Sequence, residues 1–260
     1  MKTIISSVAA LFLVVCMVPL TQAHDYWIMP STFQHDSSGI VETKFTSSHS
    51  YFAAEEVPDI SKFRFLMVTP QQREIPLVCS SVETNAAIIP VPLTGPGSYT
   101  IAAVSTAPEY WCKTTDGWKS GRKGEFKNVL KAGKYVKSVK SFINVGSPND
   151  TRILPMGHTI EIVPRKNPSM LKAGQSLPVL VLYQDRPLSD VPVFGIYEDY
   201  QTKDHNDRPV KTRTAADGIA KVKIDRPGKW LVYAKYEIDT PENPHADYAN
   251  YRPYMMFEVQ

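Results

Sequence analysis

Apolar and polar side chains alternate in short runs along most of the chain, with turn formers between them. Ile40-Val41-Glu42-Thr43-Lys44-Phe45-Thr46 reads as a strand ending just before Ser48-His49-Ser50. Phe63 to Val68 is a second strand, and Ile75 to Val78 and Ala86 to Val91 are weaker ones. Gly95-Pro96-Gly97 then turns the chain into Ser98-Tyr99-Thr100-Ile101-Ala102-Ala103-Val104, a pattern typical of β-sandwich hairpins. From Trp111 to Lys140 the rhythm breaks. Phe126, Val129 and Leu130 fall at near-helical spacing, which predicts a loop with a short helix before a strand over Val136 to Val145. Gly146-Ser147-Pro148-Asn149-Asp150 marks a boundary, after which strands resume. They run through Thr159–Val163, Leu177–Tyr183, Val191–Tyr197, Lys211–Arg213, Val222–Ile224, Lys229–Tyr236 and Tyr254–Val259. The expectation is an all-β protein of two β-sandwich domains, residues 24–147 and 155–260, the second immunoglobulin-like or transthyretin-like.

Composition sharpens this picture at a few points. With 43% hydrophobic and 21% charged residues the chain is ordinary globular protein, and 21 prolines against 13 glycines favour strands and loops over helices. The net charge of +3 becomes +2 once Lys2 is removed with a leader, too weak to imply nucleic acid. The basic segment carrying Lys113, Lys119, Arg122, Lys123, Lys127, Lys131, Lys134, Lys137 and Lys140 reads as a solvated face, with an acidic partner as the alternative.

Residues 1–23 read as a signal peptide. Lys2 supplies a positive start, Ile4 to Leu20 an apolar run, and Thr21-Gln22-Ala23 small residues where a signal peptidase reads. A membrane anchor is the alternative, but no basic stop-transfer cluster follows the run. A lipoprotein cut before Cys16 is disfavoured by the bulky Val15. The expected location is therefore a bacterial periplasm, with the mature chain not embedded in the membrane. In that oxidising compartment Cys79 and Cys112 are expected to form a disulfide; a thiolate metal site is the other use of the pair.

Cleavage after Ala23 creates unusual chemistry. His24 would become the first residue, carrying an α-amine with a reference pKa near ~8 beside an imidazole near ~6.5. His49, at the end of a strand, offers a second imidazole. Amine plus two imidazoles suits Cu(II) or Ni(II) in tetragonal geometry, or Co(II) with added waters. A cut after Thr21 would instead leave Gln22-Ala23-His24, whose amine, two amides and imidazole can enclose Cu(II) or Ni(II) in a plane. Asp25 could orient His24 from a second shell. His245 and Asp247, in Pro244-His245-Ala246-Asp247-Tyr248, could close over a site, and His158 after Met156-Gly157 is a further candidate. Asp204-His205-Asn206-Asp207 reads as a solvated turn. Tyr26, Trp27, Tyr110 and Trp111 read as core or rim aromatics, with carbohydrate stacking as the functional alternative. The chain has no Gly-x-Ser-x-Gly elbow, phosphate-cradling glycine loop or His-Glu-x-x-His pair.

Ala23-His24-Asp25-Tyr26-Trp27-Ile28-Met29-Pro30-Ser31 resembles the opening of the DUF4198 family, exported bacterial proteins associated with nickel and cobalt uptake. Leu154 to Pro164, Leu171 to Val179 with Arg186-Pro187-Leu188, and Ala246 to Val259 are similar to its later segments. The resemblance implies a periplasmic metal-handling protein that accompanies a membrane transporter and is not itself an enzyme, with His24 and His49 as ligands of nickel or cobalt. Two other functions fit the residues: a copper-dependent oxidative enzyme using the same nitrogens, and a carbohydrate-binding or adhesive sandwich in which the histidines are incidental.

Overall fold

A computed structural model describes residues 24–202 and 207–260. The expected signal peptide of residues 1–23 and the centre of the expected Asp204–Asp207 turn lie outside these described residues. The protein is all-β, and among the described residues its helical content is confined to single turns such as Lys123–Glu125.

Three sheets form three layers. The first is four-stranded, in the order Asp25–Pro30, Gly39–Ser48, Ala87–Leu93, Ser81–Val82. The middle sheet has twelve strands, and the third is built around Ser176–Tyr183, flanked by Ile160–Pro164 and Ile219–Lys223. Successive side chains on a strand point to opposite faces, so a strand covered on both sides must be apolar at nearly every position. The last strand, Tyr248–Val259, obeys this rule from Pro253 to Phe257. Tyr254 and Met256 enter the core beneath the first sheet, while Met255, Phe257 and Val259 enter the core beneath the third. The strand Gly228–Ala234 divides in the same way, with Leu231 and Tyr233 on one side and Trp230, Val232 and Ala234 on the other.

Two sandwiches are thus present, but they share their middle layer. The 17-residue strand Val129–Val145 pairs in parallel with the last strand from Gly133↔Tyr248 to Ser141↔Met256, joining the two halves of the chain through backbone hydrogen bonds. The predicted boundary at Gly146–Asp150 is a tight connection rather than a free linker. Asn144 Nδ2 donates to the Gly146 carbonyl at 2.8 Å, and Asn144 Oδ1 accepts from Asn149 Nδ2 at 2.8 Å and Ser98 Oγ at 3.0 Å. Asn167 Nδ2, from the second half, donates to the same Ser98 hydroxyl at 2.8 Å.

The long strand also explains two departures from the sequence expectations. It begins at Val129, not near Val136, because Ala132 and Gly133 pair with Cys112 and Trp111 of the strand Glu109–Thr114. The expected short helix is a single 3-10 turn at Lys123–Glu125, since Val129 and Leu130 belong to the strand. Pairing across the sheet overrides the local spacing.

The expected disulfide is absent: Cys79 and Cys112 are both free. Cys79 follows the edge strand Glu74–Leu77, which pairs with Phe63–Val68, whereas Cys112 lies in Glu109–Thr114, which pairs with Val129–Val145 and Gly117–Ser120. Each thiol donates to a nearby carbonyl instead, Cys79 to Ser81 at 3.1 Å and Cys112 to Gly121 at 3.3 Å.

Two lysines of the expected basic face are buried, one on each side of the long strand. Lys137 donates to Glu109 at 2.9 Å and lies 3.5 Å from the centre of the Tyr26 ring. Burial pushes its pKa down to about 8 against the opposing pull of Glu109. Lys140 pairs with Glu161 on the other side, at 1% and 0% exposure.

Candidate metal centre

The antiparallel ladder between Asp25–Pro30 and Gly39–Ser48 positions the first two candidate residues. Asp25 pairs with Ser48, so the next step outward sets His24 opposite His49. Residues facing each other across such a ladder project on the same side. The two imidazole centroids are 3.8 Å apart with the rings tilted by 51°. After His49 the chain folds back on itself. Phe52 takes a left-handed φ of 64°, Ala53 N donates to Ser50 O at 3.2 Å, and Ser47 N donates to Glu56 O at 2.9 Å. That return brings two carboxylates to the pair. Glu55 Oε2 accepts the His49 backbone N–H at 2.9 Å and lies 3.6 Å from His49 Nδ1, while Glu56 Oε2 lies 3.5 Å from His24 Nε2.

One donor atom each from His24, His49 and Glu55 lie within 4.8 Å of one another, a cluster able to hold a metal ion. The charges suit that use. Burial first, and then the neighbouring His49, lower the pKa of His24, which keeps its imidazole neutral and free to ligate. Burial would raise Glu55, but the His49 backbone N–H and the Ser50 and Ser48 hydroxyls outweigh it and hold the carboxyl below its ordinary range. Two imidazoles and one carboxylate form a borderline-hard donor set, matched to divalent nickel, cobalt, copper or zinc. An α-amine at His24 would add a third nitrogen.

Asp25 points elsewhere. Neighbours along a strand alternate sides, and its carboxylate is taken up by Tyr51, Tyr254 at 2.8 Å and Arg252 at 3.3 Å. It is therefore not a hydrogen-bond acceptor for the His24 ring.

The sequence profile described as a domain of unknown function, DUF4198, matches residues 21–238, and so takes in the His24–His49 hairpin and most of both sandwiches, stopping before the strand Tyr248–Val259. The chain belongs to the DUF4198 family. No curated protein sequence matches this DUF4198 chain. Among solved structures it is similar to a DUF4785 family protein from Legionella pneumophila, at 8% identity over 80% of this chain and 50% of that one, with a TM-score of 0.26. It is also similar to the titin Z1Z2 domains in complex with telethonin, at 11% identity over 92% and 98% of the two chains and a TM-score of 0.19. A Salmonella alpha-2-macroglobulin mutant matches at 9% identity over 91% of this chain and 15% of that one, with a TM-score of 0.24. The DUF4198 chain thus spans about half the length of the Legionella protein.

The remaining candidates of this DUF4198 protein lie outside the cluster. His245 donates its backbone N–H to Asn243 Oδ1 at 2.9 Å, and its ring meets Tyr110 edge-on at 6.1 Å. Asp247 accepts from Lys123 and from the Ala132 N–H at 2.8 Å, which pins its loop to the long strand. Tyr26 and Trp27 are buried, and Tyr110 and Trp111 half-buried. Glu55 and Glu56 were not anticipated; the only signal is a carboxylate pair a few residues beyond His49, meaningful only once the chain is known to turn back.

His158 is 3% exposed and sits 3.9 Å from Glu161 Oε1, with neither ring nitrogen hydrogen-bonded to any described residue. Burial, reinforced by Lys140, lowers its pKa from 6.5 to about 4. Unfolding therefore takes up a proton between these values, so this contribution to stability is complete above pH 6.5 and is lost as pH falls towards 4. The loss should reach about 3 kcal/mol. Urea midpoints measured across that range should slope less steeply in His158→Leu than in the wild type; parallel slopes would refute the assignment.

Proposed function

We propose that this is an exported protein whose mature chain begins at His24 and binds a divalent transition metal through the His24 amine and imidazole, His49 and Glu55. The cargo is nickel or cobalt, held in the periplasm and passed to a membrane transporter. The observation that carries the reading is the juxtaposition of His24, His49 and Glu55, one donor from each within 4.8 Å. The two histidines are 25 positions apart in sequence, and the strand ladder alone brings them together. A neutral His24 ring and an ionised Glu55 make the centre ready for a cation at neutral pH. The nickel and cobalt assignment rests on the family resemblance, since a nitrogen-rich site in isolation prefers copper.

The copper preference keeps one other reading in play, an oxidative enzyme acting on a polysaccharide. Such an enzyme needs a flat aromatic platform beside the metal. Among the described residues no tyrosine, tryptophan or phenylalanine is exposed, and the exposed large apolar side chains are Ile40, Val78, Val82, Leu130, Leu154 and Met170. Carriage of the ion is therefore favoured over redox use of it.

Mass spectrometry of the secreted protein should give His24 as the first residue. Calorimetry with nickel, cobalt and copper should then show one site per chain, weakened at least about tenfold in His49→Ala and less in Glu55→Gln. Wild-type affinity in His49→Ala would overturn the centre as drawn. Peroxide formation by the copper-loaded protein with a reductant would favour the enzyme.

A further inference from the structure

The metal ligands sit on two separate segments, the first strand and the loop after Ser48, and something must hold these segments at a fixed separation. Hydrogen bonds between Ser47 and the Glu55–Glu56 backbone close the loop upon itself. Beyond the last ladder pair, Asp25↔Ser48, a second connection is visible. Asp25 is the residue after His24, and Tyr51 lies two residues after His49. The Tyr51 hydroxyl donates to Asp25 Oδ2 and accepts from Arg208 Nη2. Arg208 Nη2 also lies 3.7 Å from Asp25 Oδ2, its guanidinium covers the Tyr51 ring at 4.4 Å, and its Nε donates to the Tyr233 hydroxyl at 2.8 Å. On the other carboxylate oxygen, Tyr254 donates at 2.8 Å and Arg252 at 3.3 Å.

This network is nearly dry, with Asp25 at 9% exposure, Arg208 at 7% and Tyr254 at 0%. A carboxylate with two guanidiniums and two phenols around it in such a setting has few alternative geometries, because any rearrangement strands a buried charge. Arg208, Tyr233, Arg252 and Tyr254 all come from the second half of the chain, whereas the metal ligands come from the first.

We infer that Asp25 and Tyr51 are positioning residues for the metal centre, clamping its two ligand-bearing segments together and tying them to Arg208 and the last strand. The inference rests on the metal-binding reading and deepens it. Ligand geometry must hold to fractions of an ångström for full affinity, and hydrogen-bonded groups behind the ligands commonly set it. Coupling of this kind is reciprocal: if the Arg208 network tightens the site, a bound metal tightens the network.

Tyr51→Phe tests this most cleanly, since it removes only the hydroxyl that ties the His49 segment to Asp25 and Arg208 and leaves their direct ion pair in place. Calorimetry with Ni2+ on the secreted protein should show about a tenfold loss of affinity in this variant, with the circular dichroism spectrum unchanged. Hydrogen exchange provides a readout that simple destabilisation would not mimic. Adding Ni2+ should slow exchange of the amides around Arg208 in the wild type and leave it unaltered in Tyr51→Phe. Should Tyr51→Phe fail to fold, Arg208→Lys gives the same comparison with the charge retained. Wild-type affinity in a folded variant, or no metal-dependent protection near Arg208, overturns the positioning role while leaving the metal centre standing. Absence of any Ni2+, Co2+ or Cu2+ binding by the wild type overturns both.

Discussion

Replacing Glu161 by glutamine is expected to cost about 3 to 5 kcal/mol of folding stability, the usual consequence of removing one partner from a buried ion pair. Lys140 is 1% exposed and Glu161 fully buried. Besides Lys140, the carboxylate accepts the Met156 N–H at 2.9 Å and 3.0 Å from its two oxygens and the Gly157 N–H at 3.1 Å. Glutamine keeps the shape but loses the charge, and its amide nitrogen cannot accept those N–H groups. Lys140 must then hold an ammonium without a counter-ion or give up its proton. Because the pair lies between the long shared strand and Ile160–Pro164 of the third sheet, its loss strikes where the second sandwich is assembled. Urea denaturation would measure the change; a loss below about 1 kcal/mol would mean that water or a neighbour replaces the missing charge. A double replacement, Lys140→Met with Glu161→Leu, should recover much of the stability, as apolar substitutes for buried pairs often do.

Retaining Thr21, Gln22 and Ala23 ahead of His24 is expected to lower cobalt affinity by at least about a hundredfold, since even changes behind the ligands cost ten- to a hundredfold. The imidazoles of His24 and His49 and the carboxylate of Glu55 are all still present in such a form. What disappears is the basic amine, replaced by an amide nitrogen whose lone pair is delocalised into the peptide bond and unavailable to Co(II). Histidine in fourth position also avoids the planar site that a third-position histidine would create. Calorimetry on the cut and uncut forms isolates this one donor. Equal affinities would remove the amine from the centre and leave a three-ligand site of side chains.

How far this centre was legible in the sequence depends on which contacts are local. His24 stands out through the leader-like segment before it, and His49 through its place at the end of an alternating run. Glu55 and Glu56 did not, because their approach depends on a backfold with Phe52 in a left-handed conformation, which no glycine announces. Strand positions such as Phe63–Val68 and Gly97–Ser105 were readable from alternation and turn residues. The sharing of one sheet by both halves was not. Period-two alternation reveals a half-exposed strand, but Pro253 to Phe257 within Tyr248–Val259 is an unbroken apolar run, and a run of that kind says only that both faces are covered. Asp25 misled for a related reason: sequence adjacency to His24 suggested a contact, whereas neighbours on a strand face opposite ways.

The parallel seam between Val129–Val145 and Tyr248–Val259 has a bearing on how the molecule is made. A ribosome delivers the amino end first, so the long strand exists well before its neighbour, and its edge stays open until Tyr248–Val259 emerges. Neither half can therefore mature as an early, self-sufficient unit. The growing chain carries an unsealed border along Val129–Val145 until Tyr248–Val259 arrives to pair with it.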